Sequence, residues 1–149
     1  MPRYFFEISY EGTNFFGWQK QPQDLSVQGC IEEELSKLFS LKKISIMGCG
    51  RTDTGVHAKK YYFHTDFNTK IDTNQFIFKL NHMLPKSISI HKIFEVDKDL
   101  HARFNAQLRT YKYFIHGKKD PFKAVSSWWI TQSLDIELMN LAGEMLIGT

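Results

Sequence analysis

The sequence predicts an α+β fold whose first hundred or so residues run β-α-β-β-α-β, the ferredoxin-like order, with an antiparallel sheet and two helices on one face. Three observations predict it. Apolar residues recur at helical spacing in two segments, Val27, Ile31, Leu35, Leu38 and Phe39, then Phe76, Leu80 and Met83. Four short apolar or alternating segments lie around them in strand-helix-strand-strand-helix-strand sequence. No low-complexity stretch interrupts that order.

Arg3 to Tyr10 alternates as a strand, although the adjacent Phe5 and Phe6 leave its register open. Residues 11–22 contain Gly12, Asn14, Gly17 and Pro22 and so predict a loop, but one that carries Phe15, Phe16 and Trp18. Ser26 is positioned as an N-cap for a helix reaching about Phe39, with Glu32, Glu33, Glu34 and Lys37 mostly away from its apolar face. Ile44 to Met47 predicts the second strand and Lys60 to Phe67, rich in Tyr and Phe, the third. Asp72 or Thr73 opens the second helix, which Pro85 prevents from continuing. Ser87 to Val96 supplies the fourth strand through Ile88, Ile90 and Ile93. Beyond a turn at residues 100–106, Gln107 to Ile115 alternates as a long strand, Ser127 to Thr131 as a short one, and a helix starting at Ser133 or Asp135 carries Leu138, Leu141, Ala142 and Met145. These last elements are too few to bury their own apolar faces. The expected domains are therefore residues 1–105 and the beginning of a second α+β domain over 106–149, in a chain read as the front part of a longer protein.

Composition sets broad bounds. A hydrophobic fraction of 42% and a charged fraction of 23% are those of an ordinary globular protein. The aromatic share is high at 15%, which serves either a rich core or stacking surfaces for bases. A net charge of +3 is compatible with a nucleic-acid partner without requiring one. Cys30 and Cys49 form neither a metal-binding pair nor a disulfide framework. With no export signal and no apolar run of membrane-spanning length, the expected location is the cytoplasm.

The chemistry-bearing stretch is Gly48-Cys49-Gly50-Arg51-Thr52-Asp53-Thr54-Gly55-Val56-His57-Ala58, between the second and third strands. Glycine admits positive φ and close approach of a ligand to the backbone, so such a loop suits an active site. It equally suits a long connection whose Asp and Thr bond their own backbone. Trp18, Gln19 and Lys20 present stacking and hydrogen-bonding groups of the kind that meet RNA, or else pack and solvate in the ordinary way. His57 and His64 have no spacing that completes a metal site, and no metal is expected. Cys49 reads as a small packed hydrophobe.

Tyr10-Glu11-Gly12-Thr13, Phe16-Gly17-Trp18-Gln19, Ser26-Val27-Gln28-Gly29, the Gly50-to-Ala58 block, His101-Ala102-Arg103-Phe104 and Arg109-Thr110-Tyr111-Lys112-Tyr113 together resemble the tRNA pseudouridine synthase A (TruA) family. The matches are collinear and span nearly the whole chain, and the Gly-Arg-Thr-Asp block is the most specific of them. The resemblance implies isomerisation of uridine to pseudouridine in the anticodon stem-loop of tRNA, without cofactor, by a homodimer. It implies that Asp53 is the nucleophile, that Arg51 enters the RNA as the target base flips, and that Tyr111 stacks on that base, with Tyr113 in reserve. Trp18, Gln19, Lys20, His57, Arg103 and Arg109 are the expected RNA contacts. Leu100 stands where the family often has an aromatic, a change expected to be a core swap. The family's basic partner of the aspartate lies beyond Thr149, so a chain of these residues alone is expected to be inactive. Asp53-Thr54-Gly55 is also the aspartic-protease triplet, but that fold requires an all-β chain with a hydrophobic residue leading into the aspartate.

Overall fold

The computed structural model describes residues 1–40 and 43–148, which divide into two compact units, 1–109 and 110–148. In the first unit the elements are β1 (Arg3–Tyr10), α1 (Val27–Leu38), β2 (Met47–Gly48), β3 (Ala58–Asp66), α2 (Thr73–Met83) and β4 (Ile88–Val96). The sheet order is β2-β3-β1-β4 with every neighbouring pair antiparallel, so the ferredoxin-like reading holds.

β1 is the centre of the unit because it is paired on both edges. Its register, open in the sequence, is decided by burial: Tyr4, Phe6, Ile8 and Tyr10 face inward. Phe6 pairs with Phe63 on one side and Ile93 on the other, and the Phe6 and Phe63 rings stack at 4.5 Å. Val27, Ile31 and Leu35 of α1 and Leu80 of α2 join the same core. Both helices start where side chains satisfy the free amides of the first turn. Ser26 accepts from the Gly29 amide, and Asp72 accepts from those of Asn74 and Gln75. Leu84 leaves the helical region at ψ 151°, as Pro85 requires.

The expected strand Ile44–Met47 is corrected: only Met47–Gly48 joins the ladder, through Met47 opposite His64 and Gly48 opposite Phe63. Side chains take over the backbone groups of residues 44–46. Ser36 Oγ accepts from the Ile44 amide (2.9 Å), Glu32 Oε1 from the Ile46 amide (3.2 Å), and Gln28 Nε2 donates to the Ile46 carbonyl (3.2 Å). A buried backbone group needs a partner but not a ladder, and here α1 supplies it at Ile44 and Ile46 while Thr65 of β3 donates its hydroxyl to the Ser45 carbonyl (2.9 Å).

Residues 97–106 fold onto the outer face of the sheet. The Arg3 guanidinium donates to both Asp66 carboxylate oxygens (2.7 and 2.8 Å) and to the Leu100 carbonyl (2.8 Å). His64, on the outward face of β3, accepts the Ala102 amide at Nδ1 (3.1 Å) and is buried beneath that turn. Leu100 is 38% exposed, so the expected core swap is a change at the surface.

The second unit contains β5 (Ile115–His116), β6 (Trp128–Trp129) and α3 (Ile136–Glu144). The expected long strand over Gln107–Ile115 shrinks to its last residue, Ile115, plus His116. β5 pairs in parallel with β6, itself two residues long, and a strand extends only as far as its neighbour does. None of the described residues in this unit is buried, and α3 exposes Leu138 and Leu141.

Candidate active site

The Asp53 loop leaves the sheet at β2 and returns at β3, and the loop that follows β1 braces it. The Trp18 amide donates to the Thr52 carbonyl (3.1 Å), the Gly55 amide to the Phe15 carbonyl (3.2 Å), and the Gly12 amide to His57 Nδ1 (3.0 Å). Thr52 Oγ1 shares a 2.8 Å hydrogen bond with the Tyr10 hydroxyl. Such close approach needs glycine on the bracing side. A Cβ at Gly12 would lie 2.0 Å from the Val56 carbonyl oxygen, and one at Gly17, whose φ is +81°, 2.2 Å from that of Thr52.

The loop's first turn is held from below. The Cys49 amide donates to the Tyr62 carbonyl (2.8 Å), and the Tyr61 hydroxyl bonds the Gly50 backbone at both amide and carbonyl. Burial drives the Tyr61 phenol far above its usual range, so it is a neutral donor and not a proton acceptor for chemistry. Arg109 grips the loop from another side: Nε and one terminal nitrogen donate to the Cys49 carbonyl (3.1 and 2.7 Å), and the same terminal nitrogen to the Arg103 carbonyl (2.8 Å).

Thr52 is thus tied inward by its side chain and its carbonyl, whereas its neighbours Arg51 and Asp53 are exposed. Among the described residues, neither the Asp53 carboxylate nor the Arg51 guanidinium has a hydrogen-bonding or ionic partner. The carboxylate and the guanidinium, two residues apart on a loop braced by several backbone bonds, are left open to solvent. Two cavities, about 570 and 470 Å³, lie elsewhere: one beside Phe39, Ile44 and Phe67, the other along α1 beside Cys30 and Glu33. Neither includes Arg51 or Asp53, both of which are exposed.

The profile of the tRNA pseudouridine synthase family matches residues 8–105, which contain this whole loop and all of its braces but Arg109. The chain belongs to that family. It is 43% identical to tRNA pseudouridine synthase A of Bacteroides thetaiotaomicron over 98% of its own length and 54% of the relative's. It is 45% identical to the protein of that name in Parabacteroides distasonis, over 98% and 58% of the two chains, and 40% identical to the one in Caldicellulosiruptor bescii, over 95% and 58%. The chain therefore spans little more than half the length of the curated relatives it matches.

Within this family member the residues expected to touch RNA fall into different places. Trp18 is corrected: at 3% exposure it cannot stack on a base, and its indole packs on Tyr61 at 4.2 Å and near Tyr10 and Phe63. Its neighbour Gly48 is where a Cβ would strike that indole. Of the three aromatics in the bracing loop, Phe15 is buried and only Phe16 is open, at 52%. Lys20 directs its ammonium to the Glu32 carboxylate (3.2 Å). Arg109 commits its guanidinium to two carbonyls and so acts as a brace in this structure. His57 accepts the Gly12 amide, and Glu11 Oε1 lies 3.2 Å from the same nitrogen, which carries a proton for the carboxylate only when the amide bond is released. Gln19 and Arg103 are exposed. Tyr111 and Tyr113 belong to the second unit and are exposed there.

His64 is a packed group, and burial pulls its pKa down to about 4, with Arg3 and His101 adding to the effect. Among the described residues no cluster of three His, Cys, Asp or Glu side chains could hold a metal ion, and no helix is long and apolar enough to cross a membrane. Cys49 is half-buried against the core. Tyr10, Tyr61, Gln28 and Glu32 support the loop without lying in its glycine-rich stretch. The signal for the last two was present: Gln28, Glu32 and Ser36 recur every four residues, a stripe beside that of Val27, Ile31 and Leu35.

Proposed function

We propose that the protein of which this chain is part is a tRNA pseudouridine synthase acting on uridine in the anticodon stem-loop, with Asp53 as nucleophile. The observation that carries this reading is the exposed, unpartnered Asp53 carboxylate next to an exposed Arg51, on a loop whose backbone is fixed from three sides. Pseudouridine formation breaks the N1–C1′ bond, turns the uracil, joins C5 to C1′ and releases the C5 proton to solvent. It is redox-neutral and needs no cofactor. An ionised carboxylate suits it because it forms a bond to carbon that is also readily broken. If Asp53 attacks C1′, C5 displaces it as the C5–C1′ bond forms; if it adds to the base, it leaves in the elimination that takes the C5 proton.

The target base has to leave the stack, at a cost of a few kcal/mol. Arg51 supports that step because its planar guanidinium stacks and donates hydrogen bonds together as it fills the vacated space. Tyr111 packs on the flipped uracil in this reading, and Gln19 and Arg103 meet the surrounding RNA. The whole protein acts in the cytoplasm as a homodimer on tRNA. Residues 1–149 alone are expected to be inactive, because the basic partner of Asp53 comes from the portion of the family that they do not span.

The test is tritium release from tRNA carrying 5-tritiated uridine, comparing the protein extended past Thr149 with its Asp53→Asn variant. Loss of release with tRNA binding retained supports the reading. Release undiminished in Asp53→Asn removes Asp53 as nucleophile and leaves this unit as an RNA-binding module.

A further inference from the structure

We infer that Glu32 is a positioning residue for Asp53: its buried carboxylate, with Gln28 and Ser36, sets the height at which the chain enters the Asp53 loop. This rests on the proposed synthase activity, which supplies the readout. Glu32 is only 4% exposed, an unusual place for a glutamate unless it is fully paired. Its oxygens are taken up on one side by the Ile46 amide (3.2 Å) and the Gln28 amide nitrogen (3.0 Å), and on the other by Lys20 Nζ (3.2 Å).

Two of these partners, Ile46 and Lys20, belong to segments that adjoin or brace the Asp53 loop. Ile46 lies immediately before β2, from which the loop departs. Lys20 ends the bracing segment whose Trp18 amide holds the Thr52 carbonyl, and its own amide donates to Gln28 Oε1 (3.1 Å). Gln28 joins the two, since its amide nitrogen also reaches the Ile46 carbonyl. Ser36, one helical turn beyond Glu32, accepts the Ile44 amide and donates to the Glu32 carbonyl (2.6 Å). One stripe of α1 thus anchors alternate amides, of Ile44 and Ile46, where a sheet neighbour would ordinarily do so.

That substitution has a consequence for catalysis. A ladder ties a segment to another strand along its whole length, whereas here residues 44–46 are held by side chains, and only Met47 and Gly48 are laddered to β3 before the loop's first turn. Losing the Glu32 acceptor strands a buried amide, and the segment has to move to find another partner. A displacement of about 1 Å at the reacting groups costs on the order of 100-fold in rate. Asp53 is seven residues from Ile46, and Lys20 carries the same disturbance into the bracing loop.

The experiment uses the full-length protein, comparing wild type, Glu32→Gln and Glu32→Ala. The readouts are single-turnover tritium release, tRNA affinity, hydrogen exchange of the Ile46 amide, and exchange of β1 amides as a monitor of the core. Glu32→Ala is expected to lower the rate constant by about 10- to 100-fold while tRNA affinity changes less than about threefold. The Ile46 amide exchanges faster and the β1 amides do not. Glu32→Gln, which keeps a carbonyl acceptor for Ile46, recovers most of the rate. Glu32→Ala at the wild-type rate overturns the inference, as does a loss of rate that tracks exposure of β1 or that Glu32→Gln fails to rescue. A wild type that releases no tritium overturns the proposed function itself, an outcome distinct from either.

Discussion

Replacing Gly12 by alanine tests the contact on which the site is built. The new Cβ would lie 2.0 Å from Val56 O, 2.6 Å from Val56 C and 3.1 Å from Gly55 C, all backbone atoms that no rotamer change can move aside. Separations under 3.0 Å are essentially never seen for real Cβ atoms, so the two loops must part by at least about 1 Å. Parting them by that much breaks the Gly12-to-His57 bond of 3.0 Å and strains the Gly55-to-Phe15 bond of 3.2 Å. Overpacking of this kind costs about 1–3 kcal/mol and each lost hydrogen bond about 1 kcal/mol. Since the loops separate to relieve the first by accepting the second, the sum expected is about 2–3 kcal/mol. The control is Gly55→Ala, where φ is +78° but the space is open. Only the left-handed backbone is penalised there, at about 1–2 kcal/mol. Urea denaturation of the full-length protein measures the stability, and single-turnover tritium release measures the site, where Gly12→Ala should lose about 100-fold. A Gly12→Ala midpoint equal to wild type, or a loss no larger than that of Gly55→Ala, would refute the packing of residues 11–17 against residues 52–57.

Two further expectations follow from burial and charge. Trp18→Ala should cost about 3–5 kcal/mol of stability as a core truncation, whereas Arg51→Ala should leave stability within about 0.5 kcal/mol and abolish most tritium release. The reverse pattern, by denaturation and rate measurements on the same preparations, would exchange their roles. His64 titrates near 6.5 when unfolded and at about 4 when folded, so the unfolded chain binds the extra proton between those values. Its contribution is complete above pH 6.5 and is lost as pH falls towards 4, about 1–2 kcal/mol once screening by nearby solvent is allowed for. Asp66, held low by Arg3, loses its own contribution at still lower pH. Denaturation midpoints between pH 7 and 4.5 should fall less steeply in His64→Asn, which retains an acceptor for the Ala102 amide; an equal fall would remove His64 as the cause.

The order of elements in the first unit was legible because local signals agreed with the tertiary outcome. Ser26 and Asp72 cap the helices they precede, Pro85 ends the second, and the inward positions of α1 follow from helical spacing. The glycine-rich stretch around Asp53 was legible too, because glycine density and the Arg-Thr-Asp run are properties of neighbours in sequence. What failed to show was whatever depends on which distant group satisfies a backbone or fills a gap. Trp18 sits in a loop segment of polar, glycine-rich composition, and only the arrival of Tyr61 and Gly48 beside it makes that place a core. Arg109 and Lys20 look like free cations until the Cys49 carbonyl and the Glu32 carboxylate are brought to them. Residues 44–46 have strand composition, yet α1 side chains reach their amides in place of a ladder. Composition and spacing determined where the reactive carboxylate lies along the chain and on which kind of loop. The tertiary structure decided what holds it, since hydrogen-bonding and packing partners are settled by proximity in space, which residues 20, 32, 46 and 52 acquire only on folding.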